Sequence, residues 1–212
     1  MTGVRTRRKT RRMDEILDAA QELIVENGSD GMAVEALADA AEVSVVTIYN
    51  YFGSKDGVIH RLGTRHHERA LALRESLLND PPADPVSALE RYIDLTFRHA
   101  FDVLDRAAWR HILAIDFGVP ETSPHLDIDD VVHGQVDGML DRVAARGGLP
   151  GGAVRRDLTD LAHAIMDYHF YRLVRDGRVA PVSAARLARR QFRVAAYAVL
   201  AQARQGKEGG VR

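Results

Sequence analysis

Apolar residues recur at helical spacing along almost the whole chain, and no segment alternates apolar and polar long enough to read as a strand. In "MDEILDAAQELIVENG", Ile16, Leu17, Ala20, Leu23 and Ile24 share one helical face, and Asn27-Gly28 is a C-terminal signal. "MAVEALADAAEV" predicts a second, short helix ending near residue 41. A turn at 42–44 follows, in which Ser44 can cap a third short helix over 45–51. Gly53 breaks that helix, and Ser54 caps a long one over 55–78 with Asp56 in its first turn. Pro and Gly clusters divide the rest: "NDPPADP" at 79–85, "GVPETSP" at 118–124, "RGGLPGG" at 146–152 and "DGRVAP" at 176–181. Between them lie predicted helices over 86–104, 107–117, from about 128 to the 146–152 cluster, 157–175 and 182–205. The pattern predicts an all-α chain of about nine helices, three short ones and then longer ones. The end, 206–212 ("GKEGGVR"), reads as disordered.

Composition narrows the class. The 212 residues are 46% hydrophobic and 28% charged, as in a soluble globular protein. With no cysteine, disulfides, thiolate metal sites and cysteine nucleophiles are excluded. The longest apolar run, "VAAYAVLA" at 194–201, is far short of a membrane span, and the basic start has no apolar run behind it to make a signal peptide. The expectation is a cytoplasmic protein with no membrane partner. A formal net charge of −1 hides an asymmetry. Arg5, Arg7, Arg8, Lys9, Arg11 and Arg12 stand in the first twelve residues with no acid, whereas over 13–63 Lys55 and Arg61 face ten acids. Such an arm fits a polyanion contact or a solubilising, unstructured terminus.

Aromatics are 6% of the chain, yet "SVVTIYNYFGSKDG" at 44–57 holds three. A helix, a tight turn and a short helix near a chain start form the helix-turn-helix pattern, whose second helix presents its N-terminal residues to base edges. That helix is 45–51. Ile48 and Phe52, four apart, give it a packing face. Val45, Val46, Thr47, Tyr49, Asn50 and Tyr51 are left on other faces. Their hydroxyls and amide can bond phosphates and bases, and their apolar groups can touch thymine methyls. Lys55, at the start of the next helix, can hold a phosphate together with the free N–H groups there.

"AVEALADAAEVSVVTIYNYFGSKDGVI" resembles the DNA-binding segment of TetR-type (tetracycline-repressor-like) transcriptional regulators. The family pattern T-[IL]-Y-x-[YH]-F-x-[SN]-K-[DE] is met in register by Thr47, Ile48, Tyr49, Asn50, Tyr51, Phe52, Gly53, Ser54, Lys55 and Asp56. The resemblance implies a three-helix DNA-binding domain over 1–60 and a larger helical domain over 61–205 for effector binding and dimerisation. By position it implies that Thr47 and Tyr49, with Val45 and Val46, read bases. Asn50, Tyr51 and Lys55 would grip phosphates, and Ala33 and Val34 would start the second helix, whose N-terminus meets the backbone. In some members the N-terminal arm reaches the minor groove, which makes Arg7, Arg8, Arg11 and Arg12 candidates. One departure matters: positions 35 and 45, often polar or basic base readers, are Glu35 and Val45 here. Either recognition leans on thymine methyls, or the Arg arm does much of the binding, or these two residues simply fill solvent-facing sites.

Such a module needs two half-sites and therefore a homodimer on double-stranded operator DNA. The last two helices are the candidates for pairing. They carry wide apolar or small-residue stripes, including Leu161 and Ile165 on one and Ala188, Phe192, Ala195 and Val199 on the other. The family pairs these helices with their symmetry mates. The middle helices are then expected to hold a small-molecule effector, with Phe97, Phe101, Trp109, Ile112, Phe117, Met139, Met166, His169 and Phe170 as possible lining. Trp109 and His169 equally suit ordinary core positions. Two His/Asp faces, Asp129/His133/Asp137 and Asp160/His163/Asp167, have the spacing of metal ligands but equally that of solvated faces. No cofactor is expected. The chain lacks G-x-S-x-G, H-E-x-x-H and Walker patterns, so it reads as a regulator, usually a repressor, and not an enzyme. The alternative, an all-helical metal-dependent hydrolase, leaves the 47–55 pattern unexplained.

Overall fold

The computed structural model describes residues 2–118, 124–150 and 152–209, with side chains described over 6–113, 130–150 and 152–205. Among the described residues there are nine helices and no strand: α1 Thr2–Gly31, α2 Val34–Ala40, α3 Val45–Phe52, α4 Lys55–Asn79, α5 Pro85–Arg98, α6 Arg106–Gly118, α7 Pro124–Ala145, α8 Gly152–Arg175 and α9 Pro181–Gly209. The all-α expectation holds. The chain divides into two compact units, one from Met1–Glu68 with Phe101–Pro124, the other from Arg69–Ala100 with His125–Arg212. The sequence pattern instead puts a boundary at residue 60, with 61–205 as one domain. In the structure α6 joins the first unit, because its buried face meets α1 and the first half of α4.

Several bounds differ from the sequence pattern; α7 and α8, for instance, start at Pro124 and Gly152, earlier than expected. The basic arm is helical and continuous with α1, helped by pairs from Arg11 and Arg12 to Glu15 at 3.1 Å each. The expected stop at Gly28 survives as a kink, with φ 74° and ψ 159°. α5 ends at Arg98 instead of 104, and Asp105 caps α6 through its Oδ1, which accepts the Ala108 N–H at 2.7 Å. α9 runs on to Gly209, so 206–209 are helical where disorder was expected, and 210–212 lie outside the described residues.

In the first unit Ile16, Leu17, Ala20 and Ile24 of α1 are buried together with Leu37, Ile48, Leu62, Trp109 and Ile112. Burying such side chains contributes roughly 1.5–3 kcal/mol each. Asp105 closes this unit from another side. Besides capping α6, it accepts the Ser29 N–H at 2.9 Å and the Ser29 hydroxyl at 2.8 Å. Burial alone would push its carboxyl up, but the N–H groups of Ala108, Ser29 and Ala107 and the Ser29 hydroxyl hold it below its ordinary value.

The second unit packs α9 against α5 and α8, with α5 also touching α8. Tyr92, Phe97, Leu158, Leu173, Ala188 and Phe192 fill its interior. α5 starts cleanly because Asp84 accepts the Ser87 N–H at 2.8 Å and Pro85 stands in its first turn.

Candidate nucleic-acid interface

The turn between α2 and α3 is built from backbone bonds and one cap. Val43 N–H reaches Ala38 O at 2.9 Å across the end of α2, which puts Glu42 at φ 51°, in the left-handed region. Ser44 then caps α3, its Oγ accepting the Thr47 N–H at 3.1 Å. Ile48 alone of the α3 residues is fully buried, and it fixes the roll of the helix on the unit. The opposite side is open: Val46 is 65% and Tyr49 48% exposed, and Asn50 is exposed, while Val45, Thr47 and Tyr51 are half-buried. At its far end Gly53 adopts φ 76° and donates to Tyr49 O at 2.8 Å. Gly57 then lets α4 pass close by, since a Cβ there would stand 1.9 Å from Phe52 O.

Each expected DNA-contact residue can be placed within the first unit. Thr47 Oγ1 lies 2.8 Å from Ser44 Oγ, which turns its hydroxyl toward the cap and its methyl away from it. Lys55 donates to Asp30 O at 3.2 Å, so its ammonium sits beside the α1–α2 turn with donors to spare. Val34 is half-buried at the start of α2, and Ala33 before it is exposed and extended. Arg7, Arg8, Arg11 and Arg12 are exposed on the helical arm. Lys9 Nζ stands 5.9 Å from the centre of the Tyr51 ring, bringing the arm to the end of α3. Neither α2 nor α3 contains a Lys, Arg, His or Gln, and α2 carries Glu35 and Asp39.

The expected effector lining is divided between the units. Phe101, Trp109 and Ile112 belong to the first unit, where Trp109 is 4% exposed with its ring edge-on to His66 at 5.3 Å. Phe101 lies under Arg106 at 4.8 Å and borders a hollow of about 310 Å³ with Ile24, Val25 and Leu104. Phe97, Met139, Met166, His169 and Phe170 belong to the second unit, where His169 is buried and bonds Gln191 at 2.8 Å. The Phe117 side chain lies outside the described residues. A cleft of about 490 Å³ in the second unit is bordered by Leu73, Ser87, Glu90, Asp94 and Arg189.

Of the expected dimer residues, Ala188 and Phe192 are fully buried inside the second unit, Leu161, Ile165, Ala195 and Val199 are not, and the exposed apolar residues beside them are Tyr168, Leu187, Val194 and Tyr197. The His/Asp faces pair locally: His133 meets Asp160 at 2.9 Å, His163 meets Asp167 at 3.3 Å and Asp137 meets Arg155 at 3.4 Å. Asp129 lies outside the described side chains, and among the described residues no group of three His, Asp or Glu is arranged to hold a metal ion.

Sequence reasoning passed over Arg74. It is 5% exposed on α4 and donates through Nη1 to Tyr92 Oη at 3.2 Å, and Tyr92 Oη donates to Gln135 Oε1 at 2.9 Å. Its guanidinium also lies 5.0 Å from the Tyr92 ring centre. Burial pushes the Tyr92 phenol up from its ordinary value, against the pull of the Arg74 charge. The available signal was an arginine between Ala70 and Leu77, on the apolar stripe of α4.

A capped turn between two short helices, with the second helix open along one side, defines a helix-turn-helix module on an all-helical chain. Residues 16–62 match the family described as bacterial regulatory proteins, tetR family. No curated protein sequence matches it. The fold is shared with solved structures of low identity. PfmR of Thermus thermophilus, a TetR family transcriptional regulator, is 22% identical, with 87% of this chain and 96% of that one covered and a TM-score of 0.52. Salmonella enterica GusR is 20% identical, with 89% and 95% covered and a TM-score of 0.60. The transcriptional regulator FadR of Bacillus subtilis, in complex with stearoyl-CoA, is 22% identical, with 84% and 96% covered and a TM-score of 0.53. Among the described residues no helix is long and apolar enough to cross a membrane.

Proposed function

We propose that this protein is a transcriptional regulator that binds a palindromic operator as a homodimer and is released from it by a small-molecule effector, acting as a repressor. The observation that carries the reading is the open side of α3, Val46, Tyr49 and Asn50, directly after a capped turn. A helix set this way presents its first turn to base edges in the major groove. Val45, Val46, Tyr49 and the Thr47 methyl then read bases. With no cationic side chain on α2 or α3, the commonest contact to guanine is missing, and thymine methyls are the natural targets. Asn50, Tyr51, Lys55 and the arginines of the arm hold phosphates, which makes affinity salt-dependent.

Pairing through α8 and α9 is supported by their open apolar sides. Leu187, Val194 and Tyr197 fall on one stripe of α9, turned away from the buried Ala188 and Phe192. Leu161, Ile165 and Tyr168 form a matching stripe on α8. Release follows if the effector favours a conformation in which the two reading heads no longer match the half-sites; operator affinity falls by the ligand's differential affinity for the two states. The complex of FadR with stearoyl-CoA supports effector binding on this fold.

The test is selection from a randomised DNA library with purified protein. A palindromic motif of fixed spacing is expected. A folded protein that enriches no sequence at low salt would remove the operator reading.

A further inference from the structure

Arg74 is a cation in the wrong place for a structural residue. It is 5% exposed, and among the described residues no carboxylate lies within ion-pair distance of it. Arginine does not shed its proton in a protein, so the charge persists. Desolvating a lone guanidinium costs more than one bond to a phenol and one cation–π contact return. Its hydrogen bond uses one of five N–H donors, and the partner is neutral: Tyr92 at 3.2 Å, whose hydroxyl donates in turn to Gln135 at 2.9 Å.

These three groups come from α4, α5 and α7 and lie in the same unit. One helical turn from each of them the chain is apolar: Ala70 and Leu77 beside Arg74, Leu89 beside Tyr92, Met139 beside Gln135, all buried. A planar fork with one charge, a phenol and a carboxamide, set among hydrocarbon, matches a single carboxylate on an apolar body. A phosphate dianion would ask for a second cation, and the three-residue set has none.

We propose that Arg74, Tyr92 and Gln135 form the anion-holding end of a buried site for a small apolar monocarboxylate. The proposal rests on the effector reading above and gives the effector its chemical class. On binding, the carboxylate takes the free N–H donors of Arg74 in the two-pronged manner of guanidinium, and Tyr92 turns its hydroxyl to the second oxygen. The carboxylate supplies the negative charge that the partners of Arg74 do not.

The experiment is thermal unfolding of the full chain with octanoate, decanoate and benzoate, each against its primary amide. At least one carboxylate raises the melting temperature of the wild type and its amide does not. Arg74→Met melts at or above the wild type without ligand, because a lone buried charge has been replaced by a side chain of similar length, and it loses at least tenfold in carboxylate affinity. Arg74→Lys, which keeps the charge but not the fork, binds in between, and it serves if the methionine variant does not fold. A panel in which no carboxylate raises the melting temperature overturns the proposal, and so does equal stabilisation of Arg74→Met and wild type. Operator affinity is measured beside it. A carboxylate that binds through Arg74 without weakening DNA binding upholds the site and removes the effector role; a protein that binds its operator but no carboxylate does the reverse.

Discussion

Asp105 joins two parts of the first unit with one carboxylate, and its removal has a calculable cost. It caps α6 at the Ala108 N–H and holds both polar groups of Ser29, a residue only 2% exposed, at the kinked end of α1. Losing an N-cap costs about 1 kcal/mol. Leaving the buried Ser29 N–H without an acceptor costs about 1–3 kcal/mol more. Asp105→Ala is therefore expected to destabilise the unit by about 2–4 kcal/mol. Asp105→Asn keeps one acceptor and loses about half as much. The single tryptophan, Trp109, lies in α6 and is nearly buried, so urea unfolding followed by its emission reads this unit directly. Protein concentration is held fixed, because dimerisation would add to apparent stability. The pH dependence has a definite sign. The folded Asp105 carboxyl titrates below its ordinary value of 3.8, so its contribution is full above that value and disappears as pH falls through the lower, folded one. The gap between wild type and Asp105→Asn is expected to stay constant from pH 7 to 5 and to close below about pH 4. A gap under about 0.5 kcal/mol at pH 7 for Asp105→Ala, or one that persists unchanged at pH 3, would refute the reasoning.

Four further outcomes follow from the same geometry. Glu42→Gly relieves a left-handed backbone at φ 51° and is expected to raise stability by about 0.5–1 kcal/mol in thermal melts. Gly57→Ala drives a Cβ into Phe52 O, and the α3–α4 junction must shift; operator binding is expected to fall together with stability, by about 1–3 kcal/mol. In titrations at several salt concentrations Lys55→Ala should weaken all DNA sequences alike, whereas Tyr49→Ala should change the selected motif, and deoxyuridine in place of a contacted thymine should cost about fourfold per methyl in wild type but not in Val46→Ala. Val194→Asp should yield a folded monomer by light scattering, while Phe192→Ala should instead unfold the second unit, losing about 3–5 kcal/mol.

The sequence reading reached the helices because each one declares its ends locally. Asp84 with Pro85 and Ser44 with Val45 are start signals whose bonds form within three residues, and Gly53 supplies a stop with a positive φ. It failed where the deciding contact is distant. The stop of α5 at Arg98 depends on Asp105 capping the next helix while tied to Ser29, 76 positions earlier. Apolar periodicity through Val103 and Leu104 hid that break, since both residues are buried in the loop just as they would be in a helix. The assignment of α6 to the first unit was illegible for the same reason: nothing in "RAAWRHILAIDFG" says that its apolar side will meet α1 and not its neighbours in sequence.

For the sites, periodicity names a face but not which neighbour covers it. On α9, Ala188, Phe192, Ala195 and Val199 fall within less than one half-turn, and that regularity made them look like a dimer stripe. α5 and α8 of the same chain already cover the centre of that stripe. The apolar residues left exposed, Leu187, Val194 and Tyr197, sit across the helix, and their spacing of seven and three is just as regular. A sequence with two apolar stripes on one helix therefore needs two neighbours, and only the fold says which is internal. Arg74 shows the complementary case. An arginine on an apolar stripe reads as a surface residue reaching for water, and only its 5% exposure and its neutral partners turn it into a question about an anion. Charge in the sequence is ambiguous until burial is known, whereas the α3 pattern is readable outright because its caps, its single buried isoleucine and its open side all arise within the ten residues from Ser44 to Gly53.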